Sequence, residues 1–201
     1  MADIFFASLC CRHALLTCWL LLTPAGAVHV SFSAGDHQRA MAKLLTAAPK
    51  TIIPPATGTN LGDRSPAFYR RLPPTHPAIR AGAEQTRSEI LAYLDGRTTD
   101  LVAPALSPFL LAGTPFQQRV WARLSLIPYG ETCTYGEIGT ALGNRHLARA
   151  VGAACGANPC PLLIPCHRVV AVNGPGGFSG GGLAIKKKLL ALEGTVAKER
   201  P

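Results

Sequence analysis

The densest chemistry in the sequence lies in Ile164-Pro165-Cys166-His167-Arg168-Val169. A cysteine acts as a nucleophile only as its thiolate, and a free thiol titrating near about 8.5 is only a few per cent ionised at neutral pH. An imidazole and a cation close by would raise that fraction; His167 adjoins Cys166 and Arg168 follows. Neighbours on an extended strand point to opposite faces. Cys166 and His167 would then need a bridging water, or a bend at Pro165, to act together. A buried structural cysteine beside a surface histidine fits the same segment, and on this segment alone both readings stay open.

The other thiols narrow the chemistry. The seven cysteines (Cys10, Cys11, Cys18, Cys133, Cys155, Cys160 and Cys166) contain no Cys-x-x-Cys pair, which argues against a zinc ribbon or a thioredoxin-like motif. Their spacing is not that of a short, disulfide-stapled secreted domain. A reducing compartment with at least one free thiol is therefore expected. Of the 201 residues, 48% are hydrophobic and 15% charged. That supports a real core and excludes charge-driven disorder. The net charge is +9, and residues 101–201 carry ten basic and four acidic residues against ten and seven in residues 1–100. A basic C-terminal half fits a polyanionic partner, nucleic acid or membrane, and equally a surface kept charged for solubility.

These residues need elements to position them. The apolar stretch Phe5–Leu22 is interrupted by Arg12-His13 and preceded by Asp3. It reads as a signal-like segment with Ala25-Gly26-Ala27 as a cleavage site, or as a β-hairpin. In the hairpin reading, Leu15–Leu22 is one strand, Thr23-Pro24-Ala25-Gly26 the turn and Val28–Phe32 the return, where Val28, Val30 and Phe32 alternate with His29 and Ser31. After Arg12-His13 the apolar run is too short for a membrane span. Asp36–Ala47 is expected to be helical, residues 48–80 irregular, and Ala81–Leu94 a second helix with Ile90, Leu91 and Leu94 on one face and Gly96 as its stop. Thr114-Pro115 is a helix opening, with an N-cap followed by proline at the first helical position. It leads into Phe116–Leu126, which carries Phe116, Val120 and Leu124 at helical spacing. A helix from about Thr134 to Gly143-Asn144 and another over His146–Cys155 form a helix-turn-helix.

Several of these segments together resemble the methylated-DNA–protein-cysteine methyltransferases. The resemblance is carried by Gly113-Thr114-Pro115-Phe116-Gln117-Gln118-Arg119-Val120-Trp121, Ile127-Pro128-Tyr129-Gly130-Glu131 and Thr134-Tyr135-Gly136-Glu137. It continues through Ala148-Arg149-Ala150-Val151-Gly152, Asn158-Pro159 and Pro165-Cys166-His167-Arg168-Val169. Gly181-Gly182-Leu183, Lys186 and Leu189-Leu190-Ala191-Leu192-Glu193-Gly194 complete it. The motifs stand in the family's order over roughly residues 111–194; before that the likeness is faint.

The resemblance implies repair of O6-alkylguanine, and less efficiently O4-alkylthymine, in double-stranded DNA by stoichiometric, irreversible transfer of the alkyl group to Cys166. In that scheme His167 takes the thiol proton through a water and Glu193 orients the imidazole, following the logic of nucleophile, base and orienter. Asn158 braces the loop, and Tyr135 donates to the departing base. Arg149 enters the duplex where the flipped nucleotide has left it. The small residues Ala148, Ala150 and Gly152 let the helix approach the minor groove, unlike the major-groove docking usual for helix-turn-helix proteins. Gly136, Asn144 and Gln117 fall where family members contact the DNA backbone, and Val172 does so with its main chain only. The base pocket would take in Val169, Phe178, Ser179 and Gly180. Here the sequence departs from the family. By strict spacing Ser179 occupies the position of an aromatic pocket wall, with Phe178 one residue earlier, and Gly176–Gly182 holds five glycines.

The expected fold class is α+β: a small N-terminal ribonuclease-H-like α/β domain over residues 1–110, a C-terminal helical winged-helix-like DNA-binding domain over 111–196, and a tail at 197–201. No cofactor, metal or membrane partner is expected. The spacing of Cys10, Cys11, Cys18 and His29 does not fit the structural zinc found in some eukaryotic relatives. A monomer is expected, cytoplasmic, or nuclear in a eukaryote. Two other classes remain: a helix-turn-helix sensor of alkylated DNA that transfers nothing, and a cysteine hydrolase using Cys166, His167 and Glu193, which would have no use for Arg149.

Overall fold

The structure is a computed structural model describing residues 4–23, 26–32, 38–39, 69–71, 77–99, 101 and 113–194. Its class is α+β. Strands β1 (Ile4–Arg12), β2 (Thr17–Thr23), β3 (Gly26–Ser31) and β4 (Tyr69–Arg71) form one sheet in the order β3-β2-β1-β4. β1 and β3 run antiparallel to β2, and β4 runs parallel to β1.

The hairpin reading of the N-terminal segment is the one observed, with shifted bounds. β2 starts at Thr17 and β3 ends at Ser31, with a register shift between Leu21 and Leu22. β1 was not expected. Arg12 and His13 mark the turn between β1 and β2 rather than a break in one apolar run. The simple alternation expected over Val28–Phe32 does not hold either, because Ser31 is buried along with Val30 and Phe32.

Helix α1 (Pro77–Leu94) packs on β1 and β2. It begins one turn before the expected start at Ala81, with Pro77 in the first turn, where a missing N–H costs nothing. Ile79, Ala83, Thr86, Ile90 and Tyr93 form its buried stripe, at the three- and four-residue steps of a single helix face. Of the helix expected at Asp36–Ala47, only residues 38 and 39 are described, and they are helical; the rest lies outside the described residues. So do most of the irregular 48–80 stretch, the expected boundary at 110/111 and the 197–201 tail.

Helix α2 (Pro115–Leu124) opens as expected. Thr114 Oγ1 accepts from Gln117 N, and Gln117 Oε1 accepts from Thr114 N at 2.8 Å, a reciprocal capping box. A second box, with Thr134 and Glu137, opens α3 (Tyr135–Ala141). A 3₁₀ turn (Arg145–Leu147), capped by Asn144, leads into α4 (Ala148–Gly156). α3 and α4 form the helix-turn-helix. It closes tightly because Gly139 lets the turn pass: a Cβ there would stand 3.0 Å from the Asn144 carbonyl oxygen. Trp121 Nε1 donates to Ala154 O at 2.9 Å and ties α2 to α4. A two-stranded parallel sheet, β5 (Cys133–Thr134) with β6 (Val169–Val170), precedes α5 (Leu183–Leu192). One buried cluster runs from Cys18, Leu20 and Ile90 through Val120, Trp121 and Val151 to Ile164 and Leu189. Among the described residues, no helix is long and apolar enough to cross a membrane.

Candidate active site

Residues 161–169 are all buried, and the loop that carries Cys166 is braced at several points. Asn158 Nδ2 donates to Ile164 O at 2.8 Å, and Asn158 Oδ1 accepts from Cys160 N at 3.0 Å. Ile164 N donates to Cys160 O at 2.9 Å. Leu162 has φ 87°, a conformation uncommon for a non-glycine residue that the surrounding structure must hold in place. On the outside of the loop, Val30 N of β3 donates to Pro159 O at 2.9 Å.

Cys166-His167 lies not on an extended strand but in a 3₁₀ turn, Cys166–Arg168, with β6 starting only at Val169. The turn follows Pro165, where a bend was one of the two ways for these neighbours to act together. Cys166 is 4% exposed. Burial pushes its thiol up to about 11, against the opposing influence of Asn158 hydrogen bonding and the Lys186 charge. The resting thiol is therefore protonated at neutral pH, and its use as a nucleophile requires a base.

His167 is fully buried, with Nε2 3.1 Å from Glu193 Oε1. Burial would raise the Glu193 carboxyl, but hydrogen bonds from His167, Arg168 and Tyr93 outweigh it and hold the group at about 2. An ionised carboxylate only accepts, so the imidazole proton sits on Nε2. Nδ1 is left as the basic nitrogen, and it has no hydrogen-bond partner among the described residues. Burial also lowers the His167 pKa, with the Glu193 contacts opposing it. The histidine therefore rests neutral, and the ionic partner of Glu193 is Arg168. Arg168 Nη2 lies 2.8 Å from Glu193 Oε1 and Nε lies 3.0 Å from Oε2, while Nη1 donates to Ile127 O. The guanidinium stands 5.9 Å from the Tyr129 ring centroid. It was expected to support the thiolate; the structure gives it to the carboxylate instead.

Tyr135, at the start of α3, donates to Gly177 O at 3.5 Å. Its phenol is pushed up by burial and by the nearby Cys155 and Cys166. Gly176 has φ 69°, and a Cβ there would lie 2.9 Å from Tyr135 Oη, so the loop requires glycine at that point. Lys186 is fully buried, donating from Nζ to Val169 O at 2.5 Å and to Gly177 O at 3.1 Å. Burial lowers its ammonium to about 8. Phe178 packs on Phe32 with ring centroids 6.1 Å apart, while Ser179 is exposed. A Cβ at Gly180 would meet both Phe178 and Pro161 at 2.9 Å. Cys155 is buried and pushed up to about 12.

The residues expected to meet DNA are exposed or half-buried. Arg149 and Ala150 are exposed on α4, with Ala148 and Gly152 half-buried. Asn144 is exposed and its Oδ1 accepts from His146 N. Val172 is 67% exposed. Gly136 is half-buried in the first turn of α3, and the Gln117 side chain is engaged in its capping box. The structure thus joins Cys166, His167, Glu193 and Asn158 in one buried cluster with Tyr135 beside it, and sets Arg149 apart on the surface.

Tyr93, Arg168 and Lys186 complete the cluster without having been assigned these contacts from sequence. Lys186 had a readable signal, since it falls on the buried helical stripe with Leu189 and Leu190. Tyr93 had none, because as a stripe residue it reads as ordinary core.

A profile described as "6-O-methylguanine DNA methyltransferase, DNA binding domain" matches residues 115–195. The methylated-DNA–protein-cysteine methyltransferase of Mycolicibacterium paratuberculosis is 44% identical over 118 residues, which are 59% of this chain and 67% of that protein. The Cricetulus griseus protein of that name is 35% identical over 150 residues, 69% of this chain and 72% of that protein. Other curated relatives are spanned to about half their length: 54% for the probable methyltransferase of Acanthamoeba polyphaga mimivirus and 50% for that of Mycobacterium tuberculosis. Among solved structures, M. tuberculosis O6-methylguanine methyltransferase superposes with a TM-score of 0.64 at 27% identity, covering 98% of this chain and 95% of that one. M. tuberculosis OGT in complex with DNA gives a TM-score of 0.64 at 27% identity, over 94% and 92% of the two chains.

Proposed function

The chain belongs to the methylated-DNA–protein-cysteine methyltransferase family, and from that premise we propose that it repairs DNA by taking a methyl group from O6-methylguanine onto its own Cys166. The observation that supports the proposal is a buried, protonated thiol followed in the chain by a neutral histidine whose Nε2 faces a carboxylate.

In the proposed reaction His167 Nδ1 receives the Cys166 proton, through a water as in the family, and Nε2 keeps its hydrogen bond to Glu193. The thiolate sulfur attacks the methyl carbon in line. The S–C bond forms, the C–O6 bond breaks, and its electron pair leaves on the guanine. The proton held by His167 balances the proton the base regains, and the products are S-methylcysteine and intact guanine. The thiol is not restored in this scheme, so each molecule acts once.

The buried position of Cys166 requires the damaged nucleotide to leave the stack. Extrusion costs a few kcal/mol, and an exposed Arg149 on a helix of small residues is suited to offset part of that cost from the minor groove. Gly136, Asn144, Gln117, Ala148, Ala150, Gly152 and the Val172 main chain are proposed as the surrounding DNA contacts. Tyr135 is proposed to donate to the departing base, and Asn158 to hold the Cys166 loop. Val169, Phe178, Ser179 and Gly180 are proposed to bound the base pocket, with Phe178 as its aromatic wall. O4-alkylthymine is a proposed poorer substrate, and the protein is proposed to act as a monomer.

Incubation with duplex DNA carrying O6-methylguanine, followed by intact-mass and peptide analysis, tests this. One methyl per protein, located on Cys166, is expected. No methyl on Cys166, or sustained turnover, would overturn the proposal in favour of a sensor or a hydrolase.

A further inference from the structure

We propose that Tyr93 is a positioning residue for the His167–Glu193 relay, acting on the carboxylate from helix α1, outside the stretch matched by the family profile. This rests on the alkyl-transfer reading above.

Tyr93 is fully buried, and its hydroxyl donates to Glu193 Oε1 at 2.5 Å, the same oxygen that faces His167 Nε2. Its own oxygen stands 3.5 Å from that nitrogen. Around the carboxylate, Oε1 faces Tyr93, His167 and Arg168, while Oε2 faces Arg168 and the Gly130 N–H. Among the described residues, the charged and titratable groups facing Tyr93 are Glu193, His167, Arg168 and Tyr129, and those facing His167 from the other elements include Lys186. Burial and the Glu193 charge raise the phenol far above its ordinary range, so at any working pH Tyr93 is a donor.

A donor on the oxygen shared with the imidazole has a definite consequence. It draws electron density from Oε1 and lessens the pull of the carboxylate on the Nε2 proton. Hydrogen bonds to an ionised acceptor are the strong ones, and in a buried site they are not diluted by water. With the hydroxyl present, Glu193 orients His167 without drawing it into the imidazolium form before the thiol proton arrives. With the hydroxyl gone, Glu193 stabilises the imidazolium more. His167 is then protonated at higher pH, and less of it is available as a base.

The test uses the full chain and a Tyr93→Phe variant, which keeps the ring and its edge-on packing against Tyr129 (5.9 Å between centroids, 85°). Single-turnover transfer to Cys166 is followed from mildly acidic to mildly alkaline pH, and the His167 ring nitrogens are titrated by NMR. Tyr93→Phe is expected to move the acid limb of the rate profile and the His167 midpoint upward together by roughly one pH unit, about tenfold in rate on the acid side, with the alkaline rate near wild type. Fluorotyrosine at position 93, a stronger donor of the same shape, is expected to move both downward and serves if Tyr93→Phe folds poorly. A Phe variant whose profile and midpoint superpose on wild type overturns the proposal. So does fluorotyrosine moving them upward or not at all. Wild-type protein that places no methyl on Cys166 sinks the transfer reading instead, and the NMR midpoint still decides the role of Tyr93.

Discussion

At the scale of single residues, the weight of the site rests on Glu193, a 5%-exposed carboxylate that serves His167, Tyr93, Arg168 and the Gly130 N–H at once. Its pKa is about 2 when folded, against about 4.3 for an unperturbed glutamate. A folded-state value below the unfolded one gives stability that is complete above the unfolded value and is lost as pH falls towards the folded one. Urea unfolding as a function of pH should therefore show wild type losing about 3 kcal/mol between roughly pH 4.5 and pH 2 on account of this group. Glu193→Gln should lack that dependence. It should also be less stable at neutral pH by about 3–5 kcal/mol, because it leaves the mostly buried Arg168 guanidinium without a counter-ion. Little of this was legible in the sequence. Cys166-His167 offers a nucleophile and a base side by side, yet on its own that segment fits a structural cysteine as well. Glu193 is distant and acidic near a helix end, where a solvated residue is the ordinary expectation, and only the family motif singled it out. The Tyr93 hydroxyl was unreadable because a tyrosine on a core stripe satisfies the hydrophobic pattern whether or not its oxygen has a task.

At the scale of elements, the helical frame was the readable part. Thr114-Pro115 gave the opening of α2, and Ile90 and Leu94 gave the end of α1, since caps and stripes are local properties of the chain. β1 escaped notice because a strand whose apolar run is broken by a turn looks like a continuous hydrophobic stretch with a charged interruption. The closeness of α3 and α4 could not be read, as it depends on what stands opposite Gly139. Gly139→Ala should destabilise the protein by about 1–3 kcal/mol in urea unfolding, the usual cost of overpacking. All three nearest atoms, Asn144 O, Ala148 N and Arg145 O, belong to the backbone, so no side chain can swing aside. Because the turn aims α4, the same variant should bind duplex DNA more weakly, by gel shift or anisotropy, than its loss of stability explains.

At the scale of the whole molecule, the +9 charge is a long-range property that no single contact accounts for. Under the proposed function its effect is a diffuse attraction to phosphates, released with the counterions. Duplex affinity should fall linearly in log–log form with salt, at a slope of about 0.9 per phosphate neutralised. Arg149→Ala should lower transfer from duplex more than it changes that slope; an equal change in slope alone would assign Arg149 to the backbone rather than to the gap. The N-terminal elements also reach the site directly, through Tyr93 on Glu193, Phe32 on Phe178 and Val30 on Pro159. The last of these has a use in measurement. Val30 lies in the outermost strand of its sheet, and its amide proton is spent on the loop that carries the reactive cysteine rather than on another strand. Exchange of that one proton with deuterated solvent therefore counts how often the loop lets go of the sheet, a gauge of loop opening that needs no probe attached.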